Sequence, residues 1–425
     1  MTRVNIFRVH TIHVDPGAVR GKAALVMLKT EVHDHVLFRI RMDELRRLVS
    51  VLGLSVTGEF VQTELVPRSR FLVGAGKVRE LGNYVEKHDV DVVVFYNTLK
   101  SSQKLNLMQA LDCDVVDRYE VILEIFDAMA SDTISKLQIE AAKLENLYPF
   151  YKLQASVKFR TEKPFFRSMG EYAYHNQVRA LTGHLAAIRK KIQLLRAQKK
   201  REIRRRRRLG YPSICIAGYY NAGKTSLFNC LTGEMKKVSD RPFTTLSSKY
   251  QRRFFDNDET LLFIDTIGFV IDLDPRLVKS FDVSLEDMRS SDVVLLLLEL
   301  SEPLRVLSLK LRSGLQILED LDIEAQRVIV VFNKTDLLSQ AQIDAVLEQI
   351  RMAERGLDFV CVSASQKTNL DSLIVAIRKK IEALRSMSRD APVKPPIVLT
   401  EQVDSVLQTR RTSIPAVQTD SRTKG

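Results

Sequence analysis

Cysteine is scarce, with four in 425 residues, and Cys113, Cys215, Cys230 and Cys361 form no C-x-x-C pair. That spacing argues against a disulfide framework or a zinc ribbon. Apolar neighbours make each the expected buried free thiol of a reducing compartment. The seven histidines show no zinc spacing either. No apolar run reaches the ~18–20 residues that span a bilayer. The best candidate, Val293 to Leu298, is strand-length and meets Glu299. The opening MTRVNIFRVHTIHV lacks the basic start, apolar core and small-residue cleavage site of a secretory leader. A cytoplasmic protein without stable membrane insertion is expected, and nothing demands a dimer. Charge imbalance is also missing from most of the chain. Residues 189–208 hold twelve Lys or Arg and one Glu, a net +11, which leaves only +2 of the overall +13 for the other 405 residues.

What is present divides into four stretches. Residues 1–117 alternate strand-like runs (Ala23 to Leu28, Leu54 to Val61, Asp91 to Phe95) with helical patterns at 42–52, 77–88 and 101–111. That alternation predicts a small α/β unit. Within it, Gly74-Ala75-Gly76-Lys77 opens a helical pattern. It reads either as an anion or second-nucleotide site or as a tight turn capping the helix. Residues 118–208 read as two long helices folded into an antiparallel hairpin. In the first, Phe126, Ala130, Ile134, Leu137, Ala141, Leu144, Tyr148 and Tyr151 step by three or four. In the second, Val178, Leu181, Leu185, Ile188, Ile192 and Leu195 form a heptad seam. The connector, 152–170, carries Pro164, Gly170 and basic and aromatic residues. Residues 211–386 form a third, nucleotide-binding unit. Residues 387–425, with Pro392, Pro395, Pro396 and Pro415 among Ser, Thr, Lys and Arg, are an expected disordered tail.

Beyond Leu195 the second helix is basic all round and is expected to bury no face. Arg189, Lys190, Lys191, Lys199, Lys200, Arg204, Arg205, Arg206, Arg207 and Arg208 are the candidate RNA-binding side chains. Five consecutive arginines repel one another unless a polyanion is near. The competing readings are a solvated linker helix and, lacking an apolar face, a weaker fit to an anionic membrane.

The third unit is organised around Gly218-Tyr219-Tyr220-Asn221-Ala222-Gly223-Lys224-Thr225, which fits G-x-x-x-x-G-K-[ST]. A β-prone run at 214–217 precedes it and a helical run at 226–231 follows, as a phosphate-binding loop requires. Lys224 would reach the β- and γ-phosphates, and the Thr225 hydroxyl would ligate Mg²⁺. Phe243, Thr244, Thr245, Leu246 and Ser247 form a polar switch-like segment, with Thr245 preferred over Thr244 as the second Mg²⁺ ligand. Asp265-Thr266-Ile267-Gly268 matches D-x-x-G at the end of a strand. Asp265 would hold Mg²⁺ through water, and the Gly268 N–H would meet the γ-phosphate. Asn333-Lys334-Thr335-Asp336 matches N-K-x-D, where the Asp336 carboxylate accepts from guanine N1–H and the 2-amino group. Adenine would leave that acceptor unpaired. Ser363-Ala364-Ser365 matches the loop that touches guanine O6. The predicted fold is α/β: an N-terminal α/β unit with a helical hairpin, then a Ras-like nucleotide domain on a mostly parallel sheet.

Phe71 to Lys77 (FLVGAGK), Asp117-Arg118 with Ile122 to Phe126 (ILEIF), and Lys136-Leu137-Gln138 resemble the HflX family of GTPases, as does the phosphate loop with Asn221. The resemblance covers about residues 20–386. It implies GTP hydrolysis to GDP, binding to the large ribosomal subunit and its rRNA, and a role in ribosome splitting or rescue. Bacterial members carry a glycine-rich loop between the hairpin helices; here only Met169-Gly170-Glu171 matches it, so the shortened connector looks archaeal. The resemblance also offers two roles for Asn221: holding a K⁺ beside the phosphates, or bonding only the loop backbone. The catalytic set is then Asn221, Lys224, Thr245 and Gly268. Phe269 stands where Ras-like enzymes place a water-orienting Gln, so slow intrinsic turnover and stimulation by a partner are expected. Two rival functions remain at this level. One is a tRNA-modification-type GTPase; the other is an RNA-binding or remodelling factor with GTP as a structural ligand.

Overall fold

The computed structural model describes residues 21–30, 37–161, 164–233, 249–255, 259–266, 268–272, 274–353 and 358–390, with backbone alone for 154–161, 164–177, 352–353 and 387–390. The chain falls into two units, residues 1–381 and 382–425. Of the second, only the helix as far as Asp390 is described.

The first unit opens with β1 (Gly21–Lys29), α1 (Leu37–Val51), β2 (Leu54–Thr63), α2 (Ala75–His88), β3 (Val92–Phe95), α3 (Ser101–Leu111) and β4 (Asp114–Asp117). The strands lie in the order β2-β1-β3-β4, all parallel. A parallel sheet needs helices on both faces. Successive β1 residues supply them with opposite contacts. Ala23, Leu25 and Met27 pack with α1, whereas Ala24, Val26 and Leu28 pack with α2 and α3. The short strand β4 was not foreseen from the sequence.

The first hairpin helix is not continuous. α4 (Arg118–Met129) stops at Ala130, whose backbone is extended, and α5 (Thr133–Thr161) starts afresh. Both starts are capped. The Asp117 carboxylate accepts from Glu120 N at 3.0 Å, and Glu120 returns a bond to Asp117 N at 3.1 Å. Asp132 Oδ1 accepts from Ile134 N and Ser135 N, both at 3.0 Å. Such caps satisfy N–H groups that a helix leaves unpaired. The break frees α4 to bury Val121, Ile122, Ile125 and Phe126. α6 (Pro164–Arg208) then folds back along α5, with His184 Nε2 and Arg189 Nη2 each 2.8 Å from Glu140 and Glu145. Backbone helix thus runs through most of the expected 152–170 connector; residues 162–163 between the helices lie outside the described set.

The remaining elements are β5 (Ser213–Gly218), α7 (Lys224–Thr232), β6 (Lys249–Phe254), β7 (Thr260–Asp265), α8 (Pro275–Ser280), α9 (Asp282–Ser290), β8 (Val293–Glu299), α10 (Leu304–Asp320), β9 (Val328–Asn333), α11 (Gln340–Ala353), β10 (Phe359–Cys361) and α12 (Leu370–Asp390). Their sheet has the order β10-β9-β8-β5-β7-β6, parallel except for the edge strand β6. β5, β7, β8 and β9 are almost wholly buried, as their near-continuous apolar runs require. α12 carries helix past the expected boundary at 386. The rest of the predicted tail, from 391, lies outside the described residues, as does any helix at 398–407. No described helix is long and apolar enough to cross a membrane. The four cysteines are free thiols, but only Cys215 is fully buried; the others are half-buried.

One core runs from the α1–α4 face of the first sheet into the nucleotide-binding sheet without a break at 117 or 208. Phe126 on α4 meets Phe281, between α8 and α9, edge to face at 4.9 Å. Truncating a buried phenylalanine costs about 3–5 kcal/mol. Phe126→Ala is expected to lower the unfolding free energy measured in guanidinium by that amount and to destabilise both sheets together. Separate transitions for probes in the two sheets would contradict a shared core.

Candidate nucleotide site

The phosphate loop leaves β5 at Gly218 and enters α7 at Lys224. Gly218 has φ 134°, and a side chain there would place Cβ 2.2 Å from Leu297 O. Gly223 has φ 92°, and its Cβ would fall 2.3 Å from Asn333 Nδ2. Only glycine fits either position. Asn221 is exposed at the crown with φ 60°. Tyr219 and Tyr220, by contrast, turn inward and are buried.

Lys224 is buried and donates to Tyr219 O at 2.7 Å. Burial, resisted by Asp265 and reinforced by Lys310, pulls its ammonium down to about 8. Thr225 Oγ1 lies 3.3 Å from Asp265 Oδ2, both buried. This hydroxyl–carboxylate set of hard oxygens suits Mg²⁺ completed by phosphate and water. No group of three His, Cys, Asp or Glu among the described residues could hold a metal by itself. Thr245 lies outside the described residues, together with Phe243, Thr244, Leu246 and Ser247. Ile267 does too.

The D-x-x-G segment lies against the phosphate loop. A Cβ on Gly268 would stand 2.9 Å from Lys224 Nζ and 3.4 Å from Tyr220 N. Phe269 N donates to Gly218 O at 2.9 Å, and Tyr220 N donates to Phe269 O at 3.2 Å. Thr266 does not join the phosphate side: its hydroxyl donates to Ile216 O at 2.9 Å in the buried sheet. Phe269 is itself 1% exposed and packs edge to face on Tyr219, so it belongs to the core and presents nothing to a water.

At the other end, Asn333 holds two loops together. Its Nδ2 donates to Ala222 O at 2.8 Å, and its Oδ1 accepts from Ala364 N at 3.0 Å. Lys334 has φ 64° and reaches Glu299 at 2.6 Å. Thr335 N donates to Val362 O. Asp336 accepts from Ser363 Oγ at 2.5 Å, and that bond holds its carboxyl below the usual range. Ser363, fully buried, orients Asp336 and lies 3.0 Å from Ser365 Oγ.

Sequence reasoning missed a clamp from the first sheet. Glu44 on α1 and Arg118 on α4 are 2.9 Å apart and nearly inaccessible. Glu44 Oε1 accepts from Ile271 N at 2.8 Å, while Arg118 donates to the carbonyls of Ile271 and Asp272. Burial raises the Glu44 carboxyl, opposed chiefly by Arg118. Arg41 and the Tyr96 hydroxyl add bonds to Asp272 at 2.7 and 3.0 Å. One signal was available: Glu44 sits on the face of α1 that also carries Leu45 and Leu48, where a charge needs a partner. Gly74 N–H is taken by Gln62 at 3.0 Å and Lys77 by Glu80 at 2.7 Å, the arrangement of a capped helix start.

The basic end of α6 differs from expectation. The seam does not stop at Leu195; Lys199, Ile203 and Arg206 continue its spacing and face inward. Ile203 is buried, and Lys199 and Arg206 pair at 2.5 and 3.0 Å with Asp287 on α9, which is 0% exposed. The face is possible because a buried carboxylate receives the cations. Arg207 donates to Ser290 O at 2.8 Å, and Lys200 stands 3.8 Å from Glu286. Arg189 pairs with Glu145. Lys190, Lys191, Arg204, Arg205 and Arg208 are exposed, and none has an ion-pair partner among the described residues.

Residues 39–127 match a family model described as GTP-binding GTPase N-terminal, and residues 213–334 match one described as 50S ribosome-binding GTPase. A Thermofilum pendens protein named GTPase HflX is 35% identical over 355 residues, covering 82% of this chain and 83% of its own. Its namesake in Thermococcus kodakarensis is 32% identical over 352 residues, covering 81% and 78%. The crystal structure of a GTP-binding protein from Sulfolobus solfataricus with GDP covers 86% of this chain and 99% of its own, at 24% identity and a TM-score of 0.40.

The lowered Lys224 makes a pH prediction. A phosphate beside it raises its pKa, so binding takes up protons above about 8 and affinity falls as pH rises through that value. Calorimetric titration with GDP at about pH 8.5, in two buffers of different ionisation enthalpy, should show the uptake. Buffer-independent heats would contradict it.

Proposed function

The chain belongs to the HflX family of GTPases, and on that premise we propose that it is a GTP-driven switch that binds the large ribosomal subunit and acts in ribosome splitting or rescue. The observation that carries this reading is the end of α6: Arg204, Arg205 and Arg208 face outward while Lys199 and Arg206 fasten the same turns to the nucleotide domain. Three outward arginines on one helix end suit rRNA phosphates, with a steep salt dependence. The described structure assigns Arg206 and Lys199 to Asp287 in the free protein, so the proposed first contacts are narrowed to the outward three and to Lys190 and Lys191.

The chain hydrolyses GTP. In the proposed mechanism the N–H groups of Gly223, Lys224 and Thr225 at the start of α7 cradle the phosphates, and Lys224 exchanges Tyr219 O for a phosphate oxygen. Gly268 N–H donates to the γ-phosphate, for which its bare Cα leaves the approach open. Asp336, already ionised and aimed by Ser363, accepts from guanine. Mg²⁺, held by Thr225 and through water by Asp265, would neutralise charge on the phosphate oxygens. Thr245 is proposed as its second ligand. Phe269, locked in the core, cannot orient the attacking water, so turnover is slow until the ribosome supplies what is missing. The Asn221 carboxamide bonds to no described residue, which leaves its oxygen available to K⁺ beside the phosphates.

Sucrose-gradient sedimentation tests the switch. Co-migration with large subunits is expected with a non-hydrolysable GTP analogue and is lost with GDP; equal migration in all states overturns the proposal. Ribosome-stimulated turnover should be faster in KCl than in NaCl, and equal rates would remove K⁺ from the account. Changing Arg204, Arg205 and Arg208 to Ala should weaken subunit binding and flatten its salt slope by about 1 per lost contact.

A further inference from the structure

β6 is the edge of its sheet, and its solvent face alternates in kind. Tyr250, Arg252 and Phe254 recur every second residue and are all exposed, as the strand period dictates. Lys199 and Arg206 of α6 lie over the Tyr250 ring, 5.0 and 4.3 Å from its centroid. The Arg252 guanidinium lies 5.9 Å from the centroids of both Tyr211 and Phe254. The Phe254 side chain is 70% exposed. A scattered exposed aromatic is ordinary and means nothing by itself. Here the aromatics are interleaved with cations, and the row begins under Lys199 and Arg206 of α6, whose opposite side carries Arg204, Arg205 and Arg208. Tyr211 follows Arg208 by three residues.

We propose that Arg252 and Phe254 on the β6 edge, with Tyr211 beside Arg252, form a stacking platform for unpaired RNA. The partner is a single strand because only unstacked bases offer their faces to aromatic rings, whereas a duplex presents phosphates and shallow edges. Arg252 stacks or pairs with a phosphate and Phe254 takes a base, while Arg204, Arg205 and Arg208 on the other side of α6 hold flanking backbone. The platform carries no donor pattern that selects a base, so binding is tolerant of sequence. This rests on the reading of α6 as an RNA-contacting element and extends it to the class of RNA.

The protein contains no tryptophan, so Phe254→Trp installs a single reporter at an exposed position. A single-stranded oligouridine of about 12 nucleotides should quench its emission, and a duplex of equal length should not. Leu65→Trp, exposed at 69% on the first sheet's loop, should not respond to either. Phe254→Ala should weaken single-strand affinity about tenfold with an unchanged salt slope, while Arg252→Ala weakens it and lowers the slope by about 0.7. Quenching equal for strand and duplex, or equal at Leu65→Trp, overturns the platform. So does wild-type affinity in Phe254→Ala while the Arg204, Arg205 and Arg208 triple variant loses binding; that result leaves the reading of α6 intact. Loss of neither means both are wrong. Self-association of the wild type that Phe254→Ala abolishes would assign the edge to a second copy and overturn the RNA proposal.

Discussion

Two opposite charges held out of water, Glu44 and Arg118, decide how the rest of this molecule is arranged. Burying such a pair is expensive, and good geometry with added hydrogen bonds is what offsets the cost. Here those bonds come from the backbone of Ile271 and Asp272, and the Arg118 guanidinium also lies 5.1 Å from the Tyr96 ring. The pair is therefore satisfied only while the loop after Gly268 is in place. On its other side the same loop is bonded to Gly218 and Tyr220 through Phe269. The first sheet thus reaches the phosphate loop through the four residues Phe269 to Asp272, and the continuous core follows from that closure.

Much of this was legible beforehand. Strands at 21–29, 54–63 and 92–95 and the helices between them show in the apolar periodicity, and the four nucleotide motifs sit at strand ends as their chemistry demands. The α4–α5 break was signalled by Ser131-Asp132, a cap sequence outweighed by an apolar stepping that ran across it. Thr266 shows the limit of motif reading, because a pattern gives a spacing but not the direction a side chain takes. The clamp was illegible for a simpler reason: Glu44 and Ile271 are 227 positions apart, and only the fold makes them neighbours.

The end of α6 divides its work by helix period. Lys199, Ile203 and Arg206 turn toward Asp287 and Tyr250, while Arg204, Arg205 and Arg208 turn away. Composition alone reads such a stretch as uniformly basic, because the carboxylate that gives it an inside lies 81 residues downstream of Arg206. Asp287 bonds Tyr250 at the start of β6 as well, so one acid anchors both the helix and the sheet edge.

Asn333 constrains how this protein can change. Asp keeps its size but sets an acceptor against Ala222 O, where a donor is needed. Gln carries the amide too far, with Gly223 already so close that a Cβ there would stand 2.3 Å from the nitrogen. Ala strands both Ala222 O and Ala364 N in a buried corner. No single conservative step leads away from this residue, and it joins the phosphate end of the pocket to the base end. A change at Asn333 therefore disturbs the phosphate end and the base end together, so the two ends of the pocket depend on one carboxamide.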